Sequence, residues 1–213
     1  MSDKKYLDNI VKHYEDCLDK HGDSHLGVDW PNIADVDKRY RIMLDIIRVA
    51  EDKSPNISLL DFGCGAAHLY PYMQQHNITN VNYAGLDVSE KFVALSQSKF
   101  PLLPFYCVDV LTPAINTLPQ FDYIVMNGVF TEKRELSFDE MWEYFTDLLS
   151  VVFTKANKGI AFNVMSKAVD WERDDLFHVP TDKLVDFLTK KLSRNFIIRN
   201  DYGLYEFTTY LYK

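Results

Sequence analysis

The apolar run Leu59-Leu60 delivers an acid and then a glycine turn, Asp61-Phe62-Gly63-Cys64-Gly65, and about two dozen residues later a second apolar run ends in Asp87. Glycines after a buried parallel strand let a ligand approach bare backbone, and the unpaired N–H groups of the following helix attract an anionic group. A carboxylate at the end of the neighbouring strand, where Asp87 falls with Val88 beside it, can accept hydrogen bonds from both vicinal hydroxyls of a ribose. The chemistry open to these two strand ends is the binding of a nucleoside with an anionic tail.

Two cofactor classes meet that description. A nicotinamide dinucleotide site uses G-x-G-x-x-G, and Gly63-Cys64-Gly65-Ala66-Ala67-His68 puts His68 where the third glycine would fall. With Asp61 two residues ahead of Gly63, the pattern instead resembles the D/E-x-G-x-G motif of class I S-adenosylmethionine-dependent methyltransferases. The resemblance continues in order: Tyr83-Ala84-Gly85-Leu86-Asp87-Val88-Ser89 is similar to the second strand of that family, Phe105-Tyr106-Cys107-Val108-Asp109-Val110 to the third, and Phe121-Asp122-Tyr123-Ile124-Val125-Met126-Asn127 to the fourth. It implies S-adenosylmethionine as cofactor. Asp61, Gly63 and Gly65 would surround its methionine portion, Asp87 and Val88 its ribose, Asp109 and the Val110 backbone its adenine, and Asn127 the methyl end. Ala67 stands where the family often has another glycine. Asn127-Gly128-Val129-Phe130 lacks the prolines of the N/D-P-P-Y/F element found in some amino-group methyltransferases; Phe130 is a candidate acceptor wall, with core packing as its alternative.

Four further residues have chemistry suited to such a site. Trp30 and Arg39 could form part of a lid, the indole covering the cofactor and the guanidinium pairing with its carboxylate; the alternative is that Trp30 anchors its loop in the core and Arg39 sits on a solvated helix face. His178 could serve as general base for a hydroxyl or protonated amine acceptor, with a surface or helix-capping histidine as the alternative, and Trp171 and Tyr205 could be substrate-pocket walls, with core packing as the default. His21 and His25, with Asp23 and Asp29, invite a metal reading, but no H-E-x-x-H and no cysteine cluster accompany them, so no metal site is expected.

These residues need a scaffold that lines up strand ends. Leu7, Ile10, Val11, Tyr14, Cys17 and Leu18 share one helical face, and Ile33, Val36, Tyr40, Met43, Leu44 and Ile47 another. A helix over about residues 66–76 follows the glycine turn, and Ser89 caps the next. Ser137-Phe138-Asp139-Glu140 matches a capping box ahead of an amphipathic face. Strands alternate with helices through Ile160–Met165, and the runs Phe196–Arg199 and Glu206–Tyr212 flank the turn sequence Asn200-Asp201-Tyr202-Gly203. The expected fold is α/β: a Rossmann-like, seven-stranded, mostly parallel sheet with helices on both faces and a C-terminal antiparallel hairpin. No linker composition divides the chain, so residues 1–213 read as a single domain, with 1–55 as an N-terminal helical lid or cap and 56–213 as the core.

Composition narrows the function class. A formal net charge of −8 argues against a nucleic-acid-binding surface. No apolar run approaches the ~20 residues of a membrane helix, and three scattered cysteines suggest reduced thiols in the cytoplasm. The expected activity is methyl transfer to a small-molecule partner. A narrower resemblance to bacterial methyltransferases associated with surface-glycan or other small-molecule biosynthesis makes a sugar derivative one candidate; it rests on segments such as Gly27-Val28-Asp29-Trp30, Gly159–Asn163 and Asp201–Thr208. The alternative is an S-adenosylmethionine-binding regulatory or partner protein without transferase activity.

Overall fold

The computed structural model describes residues 2–213, with side chains from Leu7 onward. Two helices lead, α1 (Ser2–His21) and α2 (Ile33–Val49). The first ends where Gly22, at φ +64°, returns its N–H to the Leu18 carbonyl. The second starts at Asn32, whose side chain accepts from the Ala34 N–H at 3.1 Å. Strands and helices then alternate: β1 (Ile57–Phe62), α3 (Leu69–Gln75), β2 (Val81–Asp87), α4 (Glu90–Lys99), β3 (Phe105–Cys107), β4 (Phe121–Phe130), α5 (Phe138–Thr154) and β5 (Ala156–Ser166). The chain finishes with β6 (His178–Val179), α6 (Thr181–Phe187), β7 (Phe196–Arg199) and β8 (Glu206–Tyr212).

Seven strands form the sheet in the order β3-β2-β1-β4-β5-β8-β7. The first five are parallel, and β8 inserts antiparallel between β5 and β7. The expected hairpin is thus the edge of the main sheet. The two-residue β6, not foreseen from sequence, pairs with Met165 and Ser166 just beyond the point where β4 leaves β5 at Phe130–Val164.

Alternation along the central strands decides what lies on each face. Leu60, Ile124, Met126, Ile160 and Phe162 point into one cluster with α5, while Leu59, Tyr123, Val125 and Ala161 point into a second with α2 and α3. A sheet buried on both faces needs near-continuous apolar strands, as these are. The α5 capping box holds: Ser137 accepts from the Glu140 N–H (3.3 Å) while the Glu140 carboxylate accepts from the Ser137 N–H (2.9 Å). No helix among the described residues is long and apolar enough to cross a membrane.

Candidate functional site

Parallel strands of one sheet end at a common rim, and loops there carry the ligands of open α/β folds. At this rim β1 stops at Phe62 and the chain turns back, Gly63 and Cys64 donating their N–H groups to the Leu86 carbonyl of β2 at 2.8 and 2.9 Å. Gly63 lies at φ +71°, and a Cβ there would meet Val129 Cγ2 at 2.8 Å, so glycine is required on both counts. Ala67 takes the same left-handed region at φ +55°, the position where the family often has glycine; a non-glycine residue there costs about 1 kcal/mol or more.

A cavity of about 170 Å³ opens over this turn. Asp61, Gly63, Gly65, Asp87, Val88, Asp109, Val110, Asn127 and Trp30 all line it, so one space collects residues from four strand ends and the loop before α2. Helix α1 roofs it with Leu7, Ile10, Val11 and Tyr14, and α5 contributes Tyr144 and Leu148. The first four residues belong to the helical face read from sequence, but that they would close over the rim was not legible there.

The carboxylates differ in their surroundings. Asp61 is buried and accepts from the Tyr83 hydroxyl at 2.9 Å. Burial pushes it up to about 7, the Tyr83 bond pulls it back and the nearby Asp87 charge adds to the rise. Asp87 accepts from the Gly65 N–H (2.9 Å) with one oxygen and from the Ser89 N–H (2.9 Å) with the other. Burial raises it too, opposed by those backbone donors. Each oxygen has a second lone pair for a ligand hydroxyl. Asp109 closes a turn by accepting from the Leu111 N–H at 3.0 Å. Near the end of β4, both the nitrogen and the oxygen of the Asn127 amide are buried and have no hydrogen-bond partner among the described residues, an arrangement that costs on the order of 1–3 kcal/mol per group unless a ligand supplies partners.

Three expectations are corrected. Arg39 does not line the cavity: its guanidinium is held by the buried Glu206 carboxylate, Nε and Nη2 lying 3.0–3.1 Å from its oxygens, and stands 5.6 Å from the Trp30 ring centroid. Phe130 is wholly buried, edge-on to Phe145 at 4.8 Å and Phe162 at 6.3 Å, so it is core rather than an acceptor wall. His178 is buried with both ring nitrogens occupied: Nδ1 lies 2.7 Å from the Ser166 carbonyl and Nε2 accepts from the Arg173 N–H at 3.3 Å. A nitrogen already accepting from the backbone is not placed to take a proton from an acceptor, and its role is to fold residues 166–178 onto β5.

His178 instead floors a second concavity of about 200 Å³ beside the end of β5, where Trp171 and Tyr205 stand 71% and 69% exposed. Met165, Val169 and Leu176 give it an apolar lining, and Asp170 and Arg173 add charge.

Of the residues weighed for a metal, His25 and Asp23 are engaged elsewhere. His25 Nδ1 meets the Trp30 carbonyl at 2.6 Å, and Asp23 pairs with His68 and Lys99. A different trio, His13, Cys17 and Asp29, brings ligand-type atoms within 4.8 Å of one another. Arg134 Nη2 lies 2.8 Å from His13 Nδ1 and can only donate, so Nε2 carries the ring proton and gives it to Asp29 at 2.8 Å. The nitrogen a metal would need is thereby engaged, and the cluster ties α1 to the segments at 29 and 132–134. Sequence reading also missed Tyr83, Asn163 and Glu206. The available signal was a polar residue inside an apolar strand, which must find a partner.

Comparison with known proteins agrees with this architecture. Residues 60–150 match the family model described as a methyltransferase domain. A Mycobacterium tuberculosis protein provisionally named methyltransferase Rv1506c is 28% identical over 168 residues, covering 76% of this chain and 96% of that one. Among solved structures, magnesium protoporphyrin IX methyltransferase from Synechocystis PCC 6803 with bound SAH aligns over 97% of this chain and 99% of its own, at 16% identity and a TM-score of 0.64. An S-adenosylmethionine-dependent methyltransferase from Clostridium acetobutylicum aligns over 96% and 98%, at 15% identity and a TM-score of 0.56. At those identities the structural likeness establishes the fold. Residues 60–150 thus match a methyltransferase domain and are borne on a Rossmann-like fold shared with solved methyltransferases, in agreement with the mycobacterial relative.

Proposed function

We propose that the cavity over the glycine turn binds S-adenosylmethionine and that the chain transfers its methyl group to a small-molecule acceptor. The observation that carries the reading is the Asn127 amide near the end of β4, buried and without a partner among the described residues, in a cavity whose acidic walls are Asp61, Asp87 and Asp109. A ligand with a cationic amino-acid end, a ribose and a base supplies partners for these groups in strand order: ammonium toward Asp61, hydroxyls toward Asp87, adenine toward Asp109 and Val110. Methyl transfer from a sulfonium demands alignment and exclusion of water more than a fixed set of catalytic side chains, which suits a site with an apolar roof.

For the acceptor, Trp171 and Tyr205 at the end of β5 are the walls this reading favours. Two large aromatic side chains left exposed around an apolar floor, with a carboxylate beside them, suit a ring carrying hydroxyl groups, and a sugar derivative is the acceptor class we favour. Titration calorimetry with S-adenosylmethionine, S-adenosylhomocysteine and NAD tests the cofactor. Binding of the first two without the third is expected; selective binding of NAD would overturn the reading. A screen of sugar and other small-molecule acceptors then follows S-adenosylhomocysteine formation. Tight cofactor binding with no turnover on any acceptor would favour a regulatory binder.

A further inference from the structure

The β4–β5 ladder breaks where the site begins. Register runs through Met126–Phe162 and resumes only at Phe130–Val164, so the three residues Asn127–Val129 of β4 stand opposite the single residue Asn163 of β5 and bulge from the sheet. A backbone N–H released from its ladder inside a fold needs another acceptor. For Gly128, at φ +83°, that acceptor is the side chain of Asn163, whose Oδ1 lies 2.8 Å away.

Asn163 is in turn held from behind. Its Nδ2 donates to the Glu206 carboxylate at 3.1 Å, and the same carboxylate takes the Arg39 guanidinium from α2. Glu206 and Asn163 are 2% and 1% exposed. Arg39 lies under the Trp30 indole, and a Cβ on Gly128 would be 3.5 Å from Trp30 Nε1, so the chain of contacts returns to the peptide it started from. A buried ion pair adds little net stability over apolar residues of the same volume. What it does supply is direction: the Asn163 amide is oriented by a charge on one side and orients a backbone N–H on the other.

We infer that Glu206, Asn163 and Arg39 act as positioning residues for the Asn127–Gly128 peptide, and through it for the Asn127 amide that meets the cofactor. This rests on the cofactor reading above. The relay couples α2 and β8, which do not touch the cavity through these side chains, to the place where the methyl group would lie.

A double-mutant cycle tests it. The affinity for S-adenosylhomocysteine is measured by calorimetry on the full chain, its Asn127→Ala and Asn163→Ala variants and the double variant, with melting temperatures alongside. Asn163→Ala is expected to weaken binding on the order of tenfold, about what one well-placed hydrogen bond is worth. In the Asn127→Ala background it should weaken binding no further. Losses that multiply, or a lowered melting temperature with unchanged affinity, would overturn the inference. Should Asn163→Ala fail to fold, the cycle is run with Glu206→Gln, which keeps the side-chain volume but turns an amide toward donors that need an acceptor. The same loss of effect in the Asn127→Ala background is required. If the unaltered chain does not bind S-adenosylhomocysteine, the cofactor reading fails; if it binds and the cycle is additive, only the relay does.

Discussion

Asp61 illustrates how a single side chain links folding to ligand binding. Burial, with the nearby Asp87 charge, moves its carboxyl from an ordinary 3.8 up to about 7 against the opposing pull of the Tyr83 hydroxyl. Between those values the folded chain keeps the proton and the unfolded chain loses it, so the folded state binds more protons and its stability falls as pH rises. The contribution is therefore fully present below the unfolded value and is lost as pH climbs to about 7, on the order of a few kcal/mol in total. Urea unfolding at pH values across that window should show Asp61→Asn gaining stability relative to the unaltered chain as pH increases. A difference between the two that stays flat with pH would refute the assignment. A ligand that brings an ammonium group to Asp61 lowers this value again. Cofactor binding at about pH 6 should then release protons, read as a dependence of the calorimetric heat on the ionisation enthalpy of the buffer, and Asp61→Asn should abolish the release.

At the scale of elements, α1 behaves as a roof held by side chains. Its inner residues Leu7, Ile10, Val11 and Tyr14 face the cavity, and among the described side chains of α1 only Leu18 is fully buried in a cluster, against Ala66 and Phe92. Ile10 and Tyr14 pack, partly buried, against the core clusters, and polar contacts add to the attachment. His13 bridges Asp29 and Arg134, Glu15 accepts from the Ser89 hydroxyl at 2.5 Å, and Asp19 pairs with Lys91. Burial pushes the Glu132 carboxyl up while Arg134 and His13 draw it down, so Arg134 neutralises an otherwise acidic junction. Arg134→Gln should loosen the roof and speed S-adenosylhomocysteine release roughly fivefold, the factor that about 1 kcal/mol gives, as read by stopped-flow displacement. An unchanged release rate with a lowered melting temperature would make the junction merely structural. The sequence was most legible where chemistry is local: the glycine turn, the acids at successive strand ends and the α5 capping box all declare themselves within a few residues. It was least legible where partners lie far apart. Arg39 and Glu206 are 167 positions apart, and nothing in the α2 pattern says that its arginine turns to a strand at the other end of the chain. His178 and Phe130 were misread because a residue's type states what it can do and only packing states whether it is free to do it.

For the whole molecule, the two core clusters on opposite faces of the sheet are complete without a ligand, while the cavity draws walls from α1, the loop before α2, four strand ends and α5. A ligand bound there touches most of the chain's elements and the unfolded chain not at all, so it must raise stability by mass action. With S-adenosylhomocysteine at a hundred times its dissociation constant, the gain is about 2.7 kcal/mol, which for a domain of this size shifts the melting temperature by roughly 5–10 °C. Asp87→Ala should remove most of that shift, because the variant loses both the proposed ribose acceptor and the carboxylate that positions the Gly65 and Ser89 N–H groups. Its own melting temperature, measured without ligand, separates the two losses. If the variant melts lower yet keeps the full ligand-induced rise, Asp87 shapes the turn but does not touch the ribose.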